Sequence, residues 1–168
     1  MPQIGVFNLN FVGTYTAELT SQPVTGGAAY NCAGLYGITC GTPTPSFRGK
    51  TRLSWTLPVP VTLSVQWRYI GGTAFDGNSS NPLLNDGYPT DTLDHISAYN
   101  YFDLSGTWRI QDNLTLRAGV NNVGDRQPPA VDSGNLGAAG PPYGNGNTFP
   151  GVYDSLGRTF FFGLTANF

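Results

Sequence analysis

The sequence predicts an all-β chain: an antiparallel, up-and-down segment of a transmembrane β-barrel, about six long strands in an incomplete wall. Three observations predict it. Apolar and polar residues alternate through six segments of about 10 to 12 residues, and alternation sends successive side chains to opposite faces of a strand. Very short and long connections take turns along the chain. Only 11% of the 168 residues are charged, against about 25% in an ordinary soluble domain. Soluble strands average about 5–6 residues, whereas a tilted strand needs about 9–11 to cross a bilayer.

The elements follow in chain order. Phe7, Leu9, Phe11 and Tyr15 oppose Asn8, Asn10, Thr14 and Thr16. Next, Phe47, Leu53, Trp55 and Leu57 share a face with Gly49 and Thr51, and Arg48, Lys50, Arg52, Ser54 and Thr56 fill the other. Pro58-Val59-Pro60 cannot donate to a ladder and reads as a tight turn. Val61, Leu63, Val65, Trp67 and Tyr69 then oppose Thr62, Ser64, Gln66 and Arg68. Phe102, Leu104, Trp108 and Ile110 oppose Asp103, Ser105, Thr107 and Arg109. After a turn at Gln111-Asp112-Asn113, Leu114, Leu116, Ala118 and Val120 oppose Thr115, Arg117, Gly119 and Asn121. The last segment sets Phe160, Phe162, Leu164, Ala166 and Phe168 against Thr159, Phe161, Gly163, Thr165 and Asn167.

The long connections cover roughly 18–46, 72–98 and 124–157. Long unstructured loops are uncommon in compact soluble domains, but short turns at one end and long loops at the other are usual in outer-membrane barrels. Residues 133–151, rich in Gly, Pro and Asn, read as a surface loop with turn chemistry and no core. Met1-Pro2-Gln3-Ile4-Gly5 has neither a basic region nor an apolar run, so it does not read as a secretory signal. No apolar run is long enough for a transmembrane helix, which leaves a β-barrel open.

The charges obey the same alternation. Arg48, Lys50, Arg52, Arg68, Asp103, Arg109 and Arg117 all fall on the polar face and are the lumen-facing candidates. An arginine on the lipid face at the midplane would cost about 2–4 kcal/mol. Trp55 and Trp108 lie near the short turns, where an interfacial aromatic girdle belongs. Eight Lys and Arg against ten Asp and Glu supply no basic surface for nucleic acid. The aromatic content, 13%, also argues against disorder. A soluble β-sandwich that buries one face is the alternative. Six strands cannot close a membrane barrel, which starts at eight, and an open sheet would leave two unpaired edges in lipid. More wall is therefore expected from elsewhere.

The chain resembles the C-terminal end of TonB-dependent outer-membrane receptors. The resemblance rests on Tyr99-Asn100-Tyr101-Phe102-Asp103-Leu104-Ser105, on Leu116-Arg117-Ala118-Gly119-Val120-Asn121, and on Asn122-Val123-Gly124-Asp125-Arg126-Gln127-Pro128-Pro129. It rests also on the final stretch from Tyr153 to Phe168, and upstream on Asn31 through Pro43 and on Trp67-Arg68-Tyr69-Ile70-Gly71. It implies that residues 1–168 are the C-terminal part of a receptor barrel, without plug domain, TonB-contacting box or signal peptide. It implies further that turns 58–60 and 111–113 face the periplasm. The partners it implies are outer-membrane lipid, the N-terminal barrel and plug of the same receptor, TonB by way of that plug, and the barrel-assembly machinery. Phe160, Phe162, Leu164, Ala166 and Phe168 would be the signal that machinery reads. The implied function is active uptake of a scarce substrate of the siderophore, carbohydrate or cobalamin class. A porin-like or autotransporter barrel is the other membrane reading.

Smaller constellations carry less. Cys32 and Cys40 are expected to form a disulfide in an oxidising compartment, two free thiols being the alternative. His95 with Asp91 and Asp94 reads as a solvated loop cluster, because no catalytic pattern surrounds it. Asp76, Asp86, Asp91 and Asp94 do not have EF-hand spacing. Tyr30, Tyr36, Phe75, Tyr88 and Tyr143 could stack on a ligand or pack the loops together. No cofactor, metal site or enzymatic motif is expected.

Overall fold

The computed structural model describes residues 4–85, 94–131 and 147–167. The alternating segments are rich in β-branched and aromatic residues, which suit a pleated surface. In chain order the strands are β1 (Val6–Tyr15), β2 (Thr20–Ser21), β3 (Tyr30–Asn31), β4 (Leu35–Tyr36), β5 (Phe47–Thr56), β6 (Val61–Ile70), β7 (Thr73–Phe75), β8 (His95–Ile96), β9 (Tyr99–Gln111), β10 (Leu114–Asn121) and β11 (Thr159–Ala166). The six long strands form one sheet in the order β1-β5-β6-β9-β10-β11. Every neighbouring pair is antiparallel. Among the described residues no helix is long and apolar enough to cross a membrane.

The register lines up the apolar positions. Leu9 stands opposite Leu53, Leu53 opposite Val65, Val65 opposite Leu104, Leu104 opposite Val120, and Val120 opposite Phe160. One apolar row thus crosses all six strands. It is not buried: Leu53, Val65 and Leu104 each keep 44% of their surface exposed. A β-sandwich would cover that row with a second sheet. Here nothing among the described residues does, so the outer face is finished by lipid or left in contact with water.

The opposite face carries the polar rows. Asn10, Arg52, Gln66 and Asp103 form one rung across β1, β5, β6 and β9, and Val12, Lys50, Arg68 and Tyr101 form the next. The turn after β5 closes with Leu57 N–H donating to Val61 O at 3.0 Å. β9 runs on through Gln111, so the second turn shrinks to Asp112 and Asn113. A register shift interrupts the β9–β10 ladder between Leu114 and Thr115. All three long connections leave from the other end of the sheet.

The described parts of those connections carry structure of their own. β4, β7 and β8 make a small three-stranded sheet, and β2 pairs with β3. Tyr36, Phe75, Ile96, Val131, Phe149 and Tyr153 form a buried cluster, with Ile70, Tyr99 and Val152 packed against it. The hydrophobic core therefore sits in the loop layer above the wall, not in the wall. Phe149 corrects the reading of 133–151 as coreless surface loop. Gly and Pro set backbone turns, but they do not stop a single aromatic between them from turning inward. Asn147, at φ 51°, starts such a turn, and its carbonyl accepts the Val131 N–H at 2.7 Å. Of the two roles open to Tyr36 and Phe75, the structure shows the packing of loops: both are buried, with ring centroids 5.9 Å apart. Asp86, Tyr88, Asp91, Tyr143 and Phe168 lie outside the described residues.

Candidate functional site

The polar face of the sheet is the candidate site, and strand pleat builds it. Arg48, Lys50 and Arg52 occupy successive same-face positions of β5, so their cationic groups project as a ladder from one strand. Lys50 lies directly opposite Arg68, a like-charge pair that would destabilise the ladder if nothing offset it. Two carboxylates do. Arg68 donates from Nε to Asp103 Oδ2 at 2.7 Å and from Nη2 to Asp103 Oδ1 at 2.8 Å. Its Nη2 also donates to Asp154 Oδ2 at 3.1 Å. The guanidinium lies 4.9 Å from the Tyr101 ring centroid, so one Arg holds two acids and an aromatic face.

Asp103 is the hub of this network. It also accepts from Gln66 Nε2 at 3.0 Å and from the Asn122 N–H at 2.9 Å. Asn122 sits at φ 51° directly after β10. Its side-chain amide clasps Arg126, donating to Arg126 O at 3.0 Å and accepting from Arg126 N–H at 2.9 Å. Asp154 donates its N–H to the Tyr101 hydroxyl at 3.2 Å. The connection between β10 and β11 is thereby bolted to the wall at two points. Asparagine's tolerance of positive φ is a signal that could have marked Asn122. Nothing in the sequence marks Asp154, which is 86 residues from Arg68.

The other candidates are placed as follows. Arg48 Nη2 donates to Pro43 O at 3.2 Å and Arg52 Nη2 to Ser105 Oγ at 3.1 Å. Arg52 Nε is buried without a partner among the described residues. Arg117 stacks over Phe161 at 5.6 Å, and Arg109 stands opposite Thr115 near the second turn. The structure thus gathers Arg48, Lys50, Arg52, Arg68 and Asp103 near the loop end and leaves Arg109 and Arg117 towards the turn end. Phe160, Phe162 and Leu164 are exposed on the outer face of β11, and Ala166 stands opposite Leu114.

Aromatic rings mark both rims. At the turn end Trp55 stacks on Phe7 with centroids 5.5 Å apart and donates to Ile4 O at 2.8 Å. At the loop end Tyr69 packs between Phe47 and Trp67 at 5.9 and 6.0 Å, and Trp67 Nε1 donates to Asn100 Oδ1 at 2.8 Å. Phe47 and Trp55 are eight residues apart on β5, about 26 Å along the strand at about 3.3 Å per residue. A tilt of about 40° brings that to about 20 Å of height, near the apolar band of an outer-membrane barrel.

In the loop layer a disulfide joins Cys32 and Cys40. The buried Asp76 carboxylate accepts three backbone N–H groups from within that ring: Ile38 at 3.2 Å, Thr39 at 2.8 Å and Cys40 at 2.7 Å. Burial first, then the nearby Asp94 and Asp76 charges, push the Tyr36 hydroxyl up to about 12. Burial likewise pushes Tyr153 up to about 12, with Arg48 pulling in the opposite direction. His95 Nδ1 meets Asp94 Oδ1 at 2.6 Å, both side chains more than half exposed. Among the described residues no three His, Cys, Asp or Glu side chains converge on a metal position.

The sheet thus pairs an apolar face with one that carries a ladder of cations, and its long connections leave from one end. Residues 3–123 match the family described as TonB dependent receptor-like, beta-barrel. The chain belongs to the TonB-dependent receptor β-barrel family. Over 75 residues it is 37% identical to the ferric enterobactin receptor of Pseudomonas aeruginosa, covering 45% of this chain and 9% of that protein. A G324V mutant of that receptor in crystal form superposes with TM-score 0.52 and 26% identity, over 74% of this chain and 16% of the other. The same receptor in complex with BCV-L6 gives TM-score 0.52 and 25% identity, over 73% of this chain and 16% of the other. The chain therefore spans less than a fifth of the relatives it matches. TonB-dependent receptors are receptors and transporters of the outer membrane rather than enzymes, and this sheet has the two faces such a barrel requires.

Proposed function

We propose that residues 1–168 form the C-terminal arc of a TonB-dependent receptor barrel in the bacterial outer membrane. The same receptor supplies the remaining strands and the plug. The single observation that carries this reading is the apolar row across six strands, exposed on all but β10, backed by a charged face and bounded by two edges that are unpaired among the described residues. In lipid those edges require partner strands. The intact receptor takes up a scarce substrate with energy relayed through TonB, and within the siderophore, carbohydrate and cobalamin classes a ferric siderophore is favoured by the likeness to a ferric enterobactin receptor. Lys50, Arg52, Arg48, Arg109 and Arg117 face the lumen and meet carboxylates of the plug, as Arg68 already meets Asp103 and Asp154. Phe160, Phe162, Leu164, Ala166 and Phe168 are read by the barrel-assembly machinery.

The test is made on the whole receptor. The DNA upstream of Met1 is sequenced, the complete frame is expressed in cells lacking their own catecholate receptors, and uptake of radio-iron-loaded enterobactin is measured with and without TonB. TonB-dependent uptake is the expected result. TonB-independent diffusion would overturn the receptor reading in favour of a porin. TonB-dependent uptake of a different cargo would overturn only the siderophore assignment.

A further inference from the structure

Asp76 is 1% exposed, and no cation pairs with it among the described residues. Three convergent backbone amides are its partners instead, and they belong to successive residues, Ile38, Thr39 and Cys40. Successive amides curled around one carboxylate form an anion nest. This nest lies inside the ring closed by the Cys32–Cys40 disulfide. A narrow bridge closes it further: Gly37 N–H donates to Gly41 O at 3.0 Å and Gly41 N–H to Gly37 O at 2.9 Å. Gly37 stands at φ 144°, and a Cβ there would overlap Asp76 Oδ1, so the backbone approaches the carboxylate as closely as glycine permits.

The two partners come from different connections. The nest is in 16–46, and Asp76 directly follows β7 in 71–98. Otherwise these connections share the short β4–β7 pairing, Leu35 with Ala74 and Tyr36 with Phe75, the Ala74 N–H bond to Gly34 O, and the aromatic contact of Tyr36 with Phe75. Those contacts place Tyr36 and Phe75, two members of the loop core.

We propose that the Cys32–Cys40 ring and Asp76 form a redox-dependent latch that holds the first two long connections together. While the disulfide is closed, the ring keeps the three amides convergent and Asp76 docked. A dithiol opens it. One thiolate attacks Sγ of Cys40, the less buried of the two cysteines, the S–S bond breaks, and Cys32 leaves as a thiolate that is then protonated. The second thiolate of the reductant attacks the mixed disulfide, closes its own disulfide and releases Cys40. Two electrons and two protons pass from the dithiol to the protein, leaving two thiols. The nine-residue ring is then unconstrained, the amides diverge, and a buried carboxylate loses the groups that satisfy it.

Backbone hydrogen exchange at Ile38, Thr39 and Cys40 reads the latch in the full-length protein, folded in outer membranes and extracted in detergent. Dithiothreitol is the reductant, applied after folding so that assembly is not at issue. Reduction should speed exchange at these three amides at least about tenfold, the scale of one charge-assisted hydrogen bond. Oxidised Asp76→Asn should show a similar acceleration, and reducing that variant should add less than about threefold, because both changes break the same contact. Exchange within about twofold of the oxidised protein after reduction would show that the Gly37–Gly41 bridge alone holds the nest, and would overturn the proposal. Two effects that multiply would overturn it as well, since the disulfide and Asp76 would then act separately. Reduction of the wild type decides the point even where Asp76→Asn does not accumulate.

Discussion

Replacing Asp103 by Asn tests whether the inner-face network anchors the last connection. The substitution keeps the shape of the side chain and removes its charge. Two charge-assisted bonds from Arg68, at 2.7 and 2.8 Å, are weakened or lost, each contributing about 1.5–3 kcal/mol. Arg68 keeps its 3.1 Å bond to Asp154 and has a quarter of its side chain exposed, so water takes up part of the orphaned charge. Removing one member of a fully buried pair costs about 3–5 kcal/mol. Partial exposure and the surviving bond reduce this to about 2–3 kcal/mol, or about 30- to 150-fold in the equilibrium constant. Urea titration in detergent micelles reads the total. Hydrogen exchange at the Asp154 N–H, which is bonded to the Tyr101 hydroxyl, reads whether the connection has come away from the wall. Combining Asp103→Asn with Arg68→Gln should cost about 2 kcal/mol less than the sum of the two single changes. A loss below about 0.5 kcal/mol for Asp103→Asn, or strict additivity in the cycle, would refute the assignment of Asp103 as hub.

Three further outcomes follow from the same geometry. Val65→Arg, on the exposed apolar row, should destabilise the membrane-embedded barrel by about 2–4 kcal/mol, while Gln66→Arg on the inner face should cost less than about 1 kcal/mol; equal costs in lipid vesicles would mean that the faces are misassigned. Gly119→Ala should lose about 1–3 kcal/mol in thermal unfolding, because its Cβ would lie 2.5 Å from both Leu104 O and the Phe161 ring. Tyr36 and Tyr153 are both held neutral by burial to about pH 12. Their contribution is complete below the unfolded value near 10 and fades as pH rises through the folded one, so protease resistance of the loop layer should fall between pH 10 and 12 and fall less in the double Tyr→Phe variant.

The wall was legible because a strand's period is two and nothing else in a sequence repeats that way for ten residues. Val61–Ile70 shows it: Leu63, Val65 and Trp67 are exposed on one face, and Ser64, Gln66 and Arg68 are shielded on the other. Trp55 was legible at its rim, whereas the Phe47–Tyr69–Trp67 group was not, because aromatics that continue an apolar alternation look like more of the same face. The loop layer was illegible for a different reason. β4 and β8 are two residues long and β7 three, too short to show a period, and Phe149 turns inward from a stretch whose composition signals only turns. Arg68 and Asp103 could be placed on one face from alternation alone. That Asp154 completes them depends on how a long connection folds back, which no local pattern encodes.

The direction of the two outermost strands limits whatever completes this wall. β1 climbs from the turn end to the loop end, and β11 descends. A strand added beside β1 must descend and one beside β11 must climb if the antiparallel ladders continue. The gap can therefore be filled only by an even number of further strands, whether two or sixteen, and never by an odd one. Strand parity is thus carried by this arc alone: any partner sequence that offers an odd count of spanning strands would force one parallel seam into the barrel, with slanted hydrogen bonds where the rest are perpendicular.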